Sequence, residues 1–183
     1  MPLPHSTGNY VIGKGILYIS PYQAVPSWEE IGNCPSIEVE PAVERLEHYS
    51  SRESMRLRDK YPIVETKYTV TFDCDEIAAR NLKLWLQGSG SGGTIKALQA
   101  SDAEYSLKFV SNNPVGPNST WIFHRVILSP NGAAALIGDE WMVLSFTGEG
   151  LADTQYNSDS PYITVLYTTT TTTTSTTTTT TSP

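Results

Sequence analysis

Residues 35–88 read PSIEVEPAVERLEHYSSRESMRLRDKYPIVETKYTVTFDCDEIAARNLKLWLQG. Within this stretch the strand over 62–72 is the clearest element. Val64, Thr66, Tyr68, Val70 and Phe72 share one face, and Glu65, Lys67, Thr69 and Thr71 share the other. Alternation at period two gives a strand with one buried and one polar face. Upstream, strands are expected over 36–40 and 43–50, the first with Glu38 and Glu40 opposite Ile37 and Val39. Between them and the 62–72 strand, residues 50–60 read as a long loop carrying Arg52, Glu53, Arg56, Arg58, Asp59 and Lys60. Downstream, Asp73 followed three residues later by Glu76 has the form of a capping box. Ile77, Ala78, Leu82, Trp85 and Leu86 recur at helical steps, so a helix is expected over 73–87 with Gly88 beyond its end. One helix with one apolar stripe is most simply a lid on a sheet.

Working outward, residues 1–10 form an arm with two prolines and no pattern, and strand material follows over 10–19, broken at Gly13-Lys14-Gly15. Further strands are expected at 104–111, 120–129, 140–148 and 162–167, separated by turn clusters such as Asn112-Asn113-Pro114 and Pro130-Asn131-Gly132. Roughly eight strands and one helix predict a mainly β fold, a β-sandwich or partly closed barrel with one flanking α-helix. One domain over 1–167 follows from the length. Residues 168–183 hold 13 threonines, two serines and a proline, a tract that cannot form a core. Threonine favours extended backbone, so the tract reaches about 50 Å if fully drawn out.

The composition excludes several functions. The net charge of −7 is the reverse of what a general nucleic-acid binder needs. Cys34 and Cys74 stand far apart with no CxxC pair, which predicts reduced, buried thiols. Residues 1–8 have no basic region or apolar core, so no signal peptide is expected, and no apolar run reaches membrane-spanning length. Gly88-x-Gly-x-x-Gly93 has the letters of a dinucleotide fingerprint, but it follows a helix instead of opening one, and it reads as a linker. His5, His48 and His124 are isolated, and Asp73, Asp75 and Glu76 lack the spaced ligands of a calcium loop. No catalytic constellation emerges, so neither an enzyme nor a cofactor is expected. Trp28, Trp85, Trp121 and Trp141 suit a β core or an interface; the alternative is a platform for carbohydrate. Seven glutamates between Trp28 and Glu53 face only Arg45 and Arg52. That run is either a solvated face or the lining of a channel.

Several small features occur in a fixed order. They are Gly13 and Gly15, Gly32-Asn33, Glu38 and Glu40, and Glu47-His48-Tyr49-Ser50-Ser51. After them come the basic loop ending at Asp59, Asp75-Glu76, Asn81-Leu82 and Gly88. Over about residues 9–90 this order resembles the major tail tube proteins of long-tailed, non-contractile bacterial viruses. The resemblance implies a structural virion protein made in the bacterial host cytoplasm. Six subunits would join their sheets into a ring with a continuous inner β-barrel. The rings would stack into a tube around the tape measure protein, meet tail terminator and tail-tip proteins, and later conduct DNA. It makes Glu38, Glu40, Glu47 and Glu65 candidates for the lumen wall. It makes Arg52, Arg56, Arg58, Asp59 and Lys60 candidates for contacts between subunits or rings, along with residues 1–10 and the segment after about 150. Two departures stand out: no glycine lies around Ser54, and a threonine tract stands where some members carry an immunoglobulin-like domain. The tube proteins of contractile and secretion systems are a related variant of the same reading.

Overall fold

A computed structural model describes residues 9–50, 56–91, 93–99 and 103–168. The strands are β1 (Gly15–Pro21), β2 (Glu29–Glu30), β3 (Ser36–Arg45), β4 (His48–Ser50), β5 (Leu57–Lys60) and β6 (Ile63–Cys74). The helix α1 (Ala79–Trp85) follows, then β7 (Glu104–Ser111), β8 (Asn118–Pro130), β9 (Leu144–Gly150) and β10 (Ile163–Thr168). The fold is mainly β, as expected, with one antiparallel sheet in the order β2-β1-β7-β8-β9-β6-β3. β10 adds to β8, while β4 and β5 form a separate two-stranded ribbon. The sheet curls so that β1 and the start of β3 line one cleft, yet the path has two ends and no barrel closes.

The curl originates in β8. Its residues 118–123 pair with β10 and its residues 126–130 pair with β9, both along the same edge. Where the two pairings part, Phe123 and His124 are both buried, so the alternation of faces slips by one. A strand that changes sheets at a bend is how sandwich corners are made. The core fills the resulting concavity with Leu17, Ile19, Tyr68, Val70, Phe72, Leu107, Phe123, Val126, Leu144 and Phe146. Phe72 stacks on Phe146 with ring centroids 4.8 Å apart. On β9, Gly150 lies under the Tyr68 ring, and a Cβ there would meet the ring at 2.0 Å. The position is glycine because the tyrosine fills the space a side chain would take.

His124 is part of this corner. Its Nε2 is 2.8 Å from the Thr164 hydroxyl on β10, and burial pushes its pKa down. A depressed histidine means that the unfolded chain binds more protons below its ordinary pKa of about 6.5. Stability should therefore fall as the pH drops from 7 towards 5. Denaturant titrations across that range should show a decline that His124→Gln reduces. An equal decline in both proteins would place its origin elsewhere.

The helix is shorter than the sequence pattern predicts. β6 runs on to Cys74, so Asp73 lies in a strand, where it accepts hydrogen bonds from Ser36 Oγ (2.8 Å) and Ser145 Oγ (2.6 Å). Asp75 accepts from Asn33 Nδ2, and Glu76 accepts from the Asn33 backbone N–H. The capping-box residues are thus committed elsewhere, Asp73 to strands β3 and β9 and Glu76 to the segment between β2 and β3, and α1 starts at Ala79 without a side-chain cap. Its other end is a Schellman turn, with Gly88 N–H donating to Lys83 O and Gln87 N–H to Leu84 O. The left-handed residue of the turn is Gln87 (φ 46°), one position before Gly88. Gln87→Gly should relieve that strain and stabilise the protein by about 0.5–1 kcal/mol, measurable as a rise in the denaturation midpoint. A lower midpoint would count against the turn.

Two further expectations change. β3 passes through Pro41 unbroken, because an edge strand tolerates the missing N–H. Of the stretch expected as a loop, Leu57–Lys60 form a strand, since Tyr49 pairs with Arg58 and Ser50 with Leu57. Of the terminal segments, 1–8 and 169–183 lie outside the described residues, as do 51–55 with Arg52.

Candidate functional site

β3 and β6 form one long hairpin that the ribbon extends. The Leu46 N–H donates to Pro62 O at 3.0 Å, linking the two parts. Register shifts occur at Glu44/Arg45 and at His48/Tyr49, and in both cases the extra residue, Val64 or Asp59, lies on the returning strand. Bulges on one strand bend and twist a ribbon. The distal half leaves the core accordingly: Val43, Leu46, Leu57, Tyr61, Ile63 and Val64 are all exposed.

Residues directly opposite in antiparallel strands share a face. Glu38 lies opposite Thr71, which lies opposite Thr147, which lies opposite Ser129. Glu40 begins a second row that continues through Thr69, Glu149, Ile127 and Glu104, crossing from β3 to β7. Glu44 and Glu65 lie opposite each other further along the hairpin. The outer face of the sheet therefore presents Glu38, Glu40, Glu44, Glu65, Glu104 and Glu149.

Three cations share this face: Lys67 and Arg125, both held by carboxylates, and Lys108 on β7, whose Nζ lies over the Tyr18 and Trp28 rings. Lys67 Nζ lies 2.8 Å from Glu44 and 3.6 Å from Glu65. Its hydrogen bond holds the Glu44 carboxyl below the usual carboxylate range and raises the lysine. Arg125 clamps Glu104 through Nε (2.8 Å) and Nη2 (2.5 Å), a bidentate pair. Among the described residues Glu38, Glu40 and Glu149 have no ion-pair partner. Lys67 spends its charge within the hairpin, so over β3, β6 and β9 the glutamates without an ion pair leave the face negative. Glu149 was not singled out in the sequence; its place in the row appears only through the pairing of β9 with β6.

Glu47 lies apart from these rows, at the base of the ribbon. Arg58 Nη1 donates to it at 2.9 Å, and the Tyr49 hydroxyl also donates. Those two bonds, the tyrosine's first, hold its carboxyl low. Arg58 also lies 4.7 Å from the Tyr61 ring centroid, and Arg56 stacks 4.3 Å from that of Tyr49. Asp59 takes a 2.5 Å contact from His48 Nδ1, which lowers its pKa. Lys60 lies opposite His48. The ribbon thus carries Arg56, Arg58, Asp59 and Lys60 together, on cation–π and ionic contacts that give each guanidinium a defined direction.

The tryptophans do not make a common platform. Trp85 packs against the core and donates Nε1 to Ser145 O at 3.1 Å, and Trp121 donates to Ser119 Oγ at 3.0 Å. Trp28 lies against Lys108, and Trp141 alone is almost fully exposed. Cys34 and Cys74 are free thiols. Among the described residues no group of three histidine, cysteine or acidic side chains is placed to hold a metal. Among the described residues no helix is long and apolar enough to cross a membrane.

A family model described as "Protein of unknown function UCP028589" matches residues 10–94, which contain the hairpin and the helix. No curated protein matches the chain. Among solved structures the chain is similar to one in the baseplate of the anti-feeding prophage, at 8% identity and a TM-score of 0.47, covering 91% of this chain and 97% of that one. It is also similar to one in the tube-terminating cap of the same particle (9% identity, TM-score 0.38, 92% and 94% covered). A third is in the sheath–tube complex of an extracellular contractile injection system (11%, 0.35, 92% and 94%).

Proposed function

We propose that this chain is a non-enzymatic structural subunit of a viral tail tube, assembling as stacked rings around a central channel. In this reading Glu38, Glu40 and Glu65, joined by Glu149, face the lumen. The ribbon with Arg56, Arg58, Asp59 and Lys60 reaches a neighbouring subunit or ring, and Glu47 orients Arg58 for that contact. The channel holds the tape measure protein during assembly and passes DNA afterwards. Tail terminator and tail-tip proteins close its ends, and the protein resides in the virion tail.

The observation that carries the proposal is the set of glutamates on one face of β3, β6 and β9, with Lys67 among them already neutralised. A conduit must not hold its cargo, and a negative wall repels phosphates that lysines or arginines would retain. The free edge of β3 supports it as well. Ten residues of edge strand invite pairing, and a closed ring of subunits removes that liability. The resemblance over residues 9–90 adds the tail-tube identity itself.

Negative-stain electron microscopy of the concentrated protein tests the reading. Rings or tubes are expected. Reversing Arg56 and Arg58 to glutamate should cut the yield or length of tubes severalfold while leaving the fold intact. A compact monomer at every concentration and salt would sink the assignment.

A further inference from the structure

We infer that the β8–β9 loop of one copy of this chain inserts into a cleft beside α1 of a second copy. The contact runs head to tail and is distinct from the hairpin. Residues 136–141 read Leu-Ile-Gly-Asp-Glu-Trp, and Leu136, Ile137 and Trp141 are 84%, 97% and 92% exposed. Three large apolar side chains this bare within six residues mark a surface that expects a partner. The loop is held at both ends. Ala134 and Met142 pack on the core, and the Asn131 N–H donates to Ser145 O at 2.9 Å. A knob fixed in this way loses little freedom on docking.

The receiving cleft has a volume of about 240 Å³. That is below the roughly 300–1,000 Å³ of small-molecule sites and suits one or two aliphatic side chains. Ile19, Leu84, Tyr105 and Leu128 line its floor, with Arg80 and Lys83 at its rim. Arg80 is already bound to Glu29 at 2.9 Å, but Lys83 donates only to the Gly90 carbonyl and has no carboxylate partner among the described residues. The knob carries the complement, because Asp139 and Glu140 follow Leu136 and Ile137. Apolar tip meets apolar floor, and acidic flank meets basic rim. Ile137 is too exposed to occupy the cleft of its own chain. Both halves of the contact belong to one sequence, so a second copy satisfies them. A contact between different patches then repeats from copy to copy, as a ring if the rotation closes and as a filament if it does not.

Sedimentation of the full chain over a concentration series tests this. The wild-type mass should grow with concentration. Ile137→Asp and Lys83→Glu should each weaken association at least tenfold, and adding Glu140→Lys to Lys83→Glu should recover most of it. Mixing the two single variants should stop at dimers, because only one intact knob and one intact cleft remain. Both changes are at solvent-facing positions, and matching thermal melts would separate misfolding from lost contact. A wild type that stays monomeric, variants that associate like it, or a charge swap without rescue would each overturn the contact. Normal tubes built from Ile137→Asp would overturn it while leaving the tail-tube reading standing.

Discussion

Asn81→Asp should destabilise the protein by about 3 kcal/mol at neutral pH. That is the cost of a buried carboxylate set against carbonyl oxygens and only partly offset by the Arg80 Nε–H, which donates to Oδ1 at 3.3 Å. Asn81 is fully buried on α1. Its Nδ2 donates to Ile31 O (2.7 Å), Glu76 O (3.0 Å) and Cys74 Sγ (3.3 Å). One amide thus fastens the helix to the segment after β2 and to the turn after β6. An aspartate would set a carboxylate against two carbonyl oxygens and strip both of their donor. Typical domains hold only about 5–15 kcal/mol in total, so the variant would be near its limit. Asn81→Ala, which removes the donor without adding charge, should lose about 1–3 kcal/mol. The aspartate's pKa would be raised in the folded state, so its penalty should shrink as the pH falls towards 4. Urea titrations at pH 7 and pH 4 read both effects. A loss below about 1 kcal/mol for both variants at pH 7 would mean these bonds do not hold the helix.

Replacing Glu38, Glu40 and Glu149 together by lysine should give this face an affinity for duplex DNA that the wild-type face is expected to lack. The three positions are glutamates of the outer face without an ion pair among the described residues, and Glu40 and Glu149 share one row. Each new lysine that meets a phosphate releases condensed counterions, with a slope of about −0.9 per contact in log K against log salt. Three contacts predict an affinity that falls about 40-fold between 50 and 200 mM salt. Fluorescence anisotropy with labelled duplex measures it directly. In the proposed tail tube, the same substitutions should slow DNA release. Wild-type protein that binds DNA as tightly as the variant would show that this face does not act as a repelling wall.

Much of the sheet was legible because burial follows the period-two pattern. Tyr68, Val70 and Phe72 are buried as the alternation requires. The same pattern misleads at Val64 and Thr66, which are exposed because β6 has run past the core there. The helix stripe of Leu82 and Trp85 was readable, but its start was not. Asp73, Asp75 and Glu76 are good capping residues locally, and only the folded neighbours Ser36, Ser145 and Asn33 reveal their actual bonds. The burial of Asn81 and the need for glycine at 150 cannot be read locally; each is explained by a partner, Ile31 and Tyr68, far away in sequence. For the candidate surface, Glu38 and Glu40 could be read from one strand. The row through Glu149 and Glu104 depends on sheet order, which no single strand encodes.

The strand order also sets a timetable. β3 and β6 are neighbours in sequence apart from their own ribbon, so the acidic hairpin can close as soon as it is made. β1 cannot. Gly15 lies opposite Ser111 and Pro21 opposite Tyr105, so its main partner arrives roughly ninety residues later. At a synthesis rate of about 5–20 residues per second, that is a wait of about 5–20 s. During that interval Leu17 and Ile19, both destined for the core, have nowhere to go. The start of this chain is therefore the part most exposed to chaperones and to mispairing with other nascent copies, and the yield of usable subunits depends on how quickly β7 arrives.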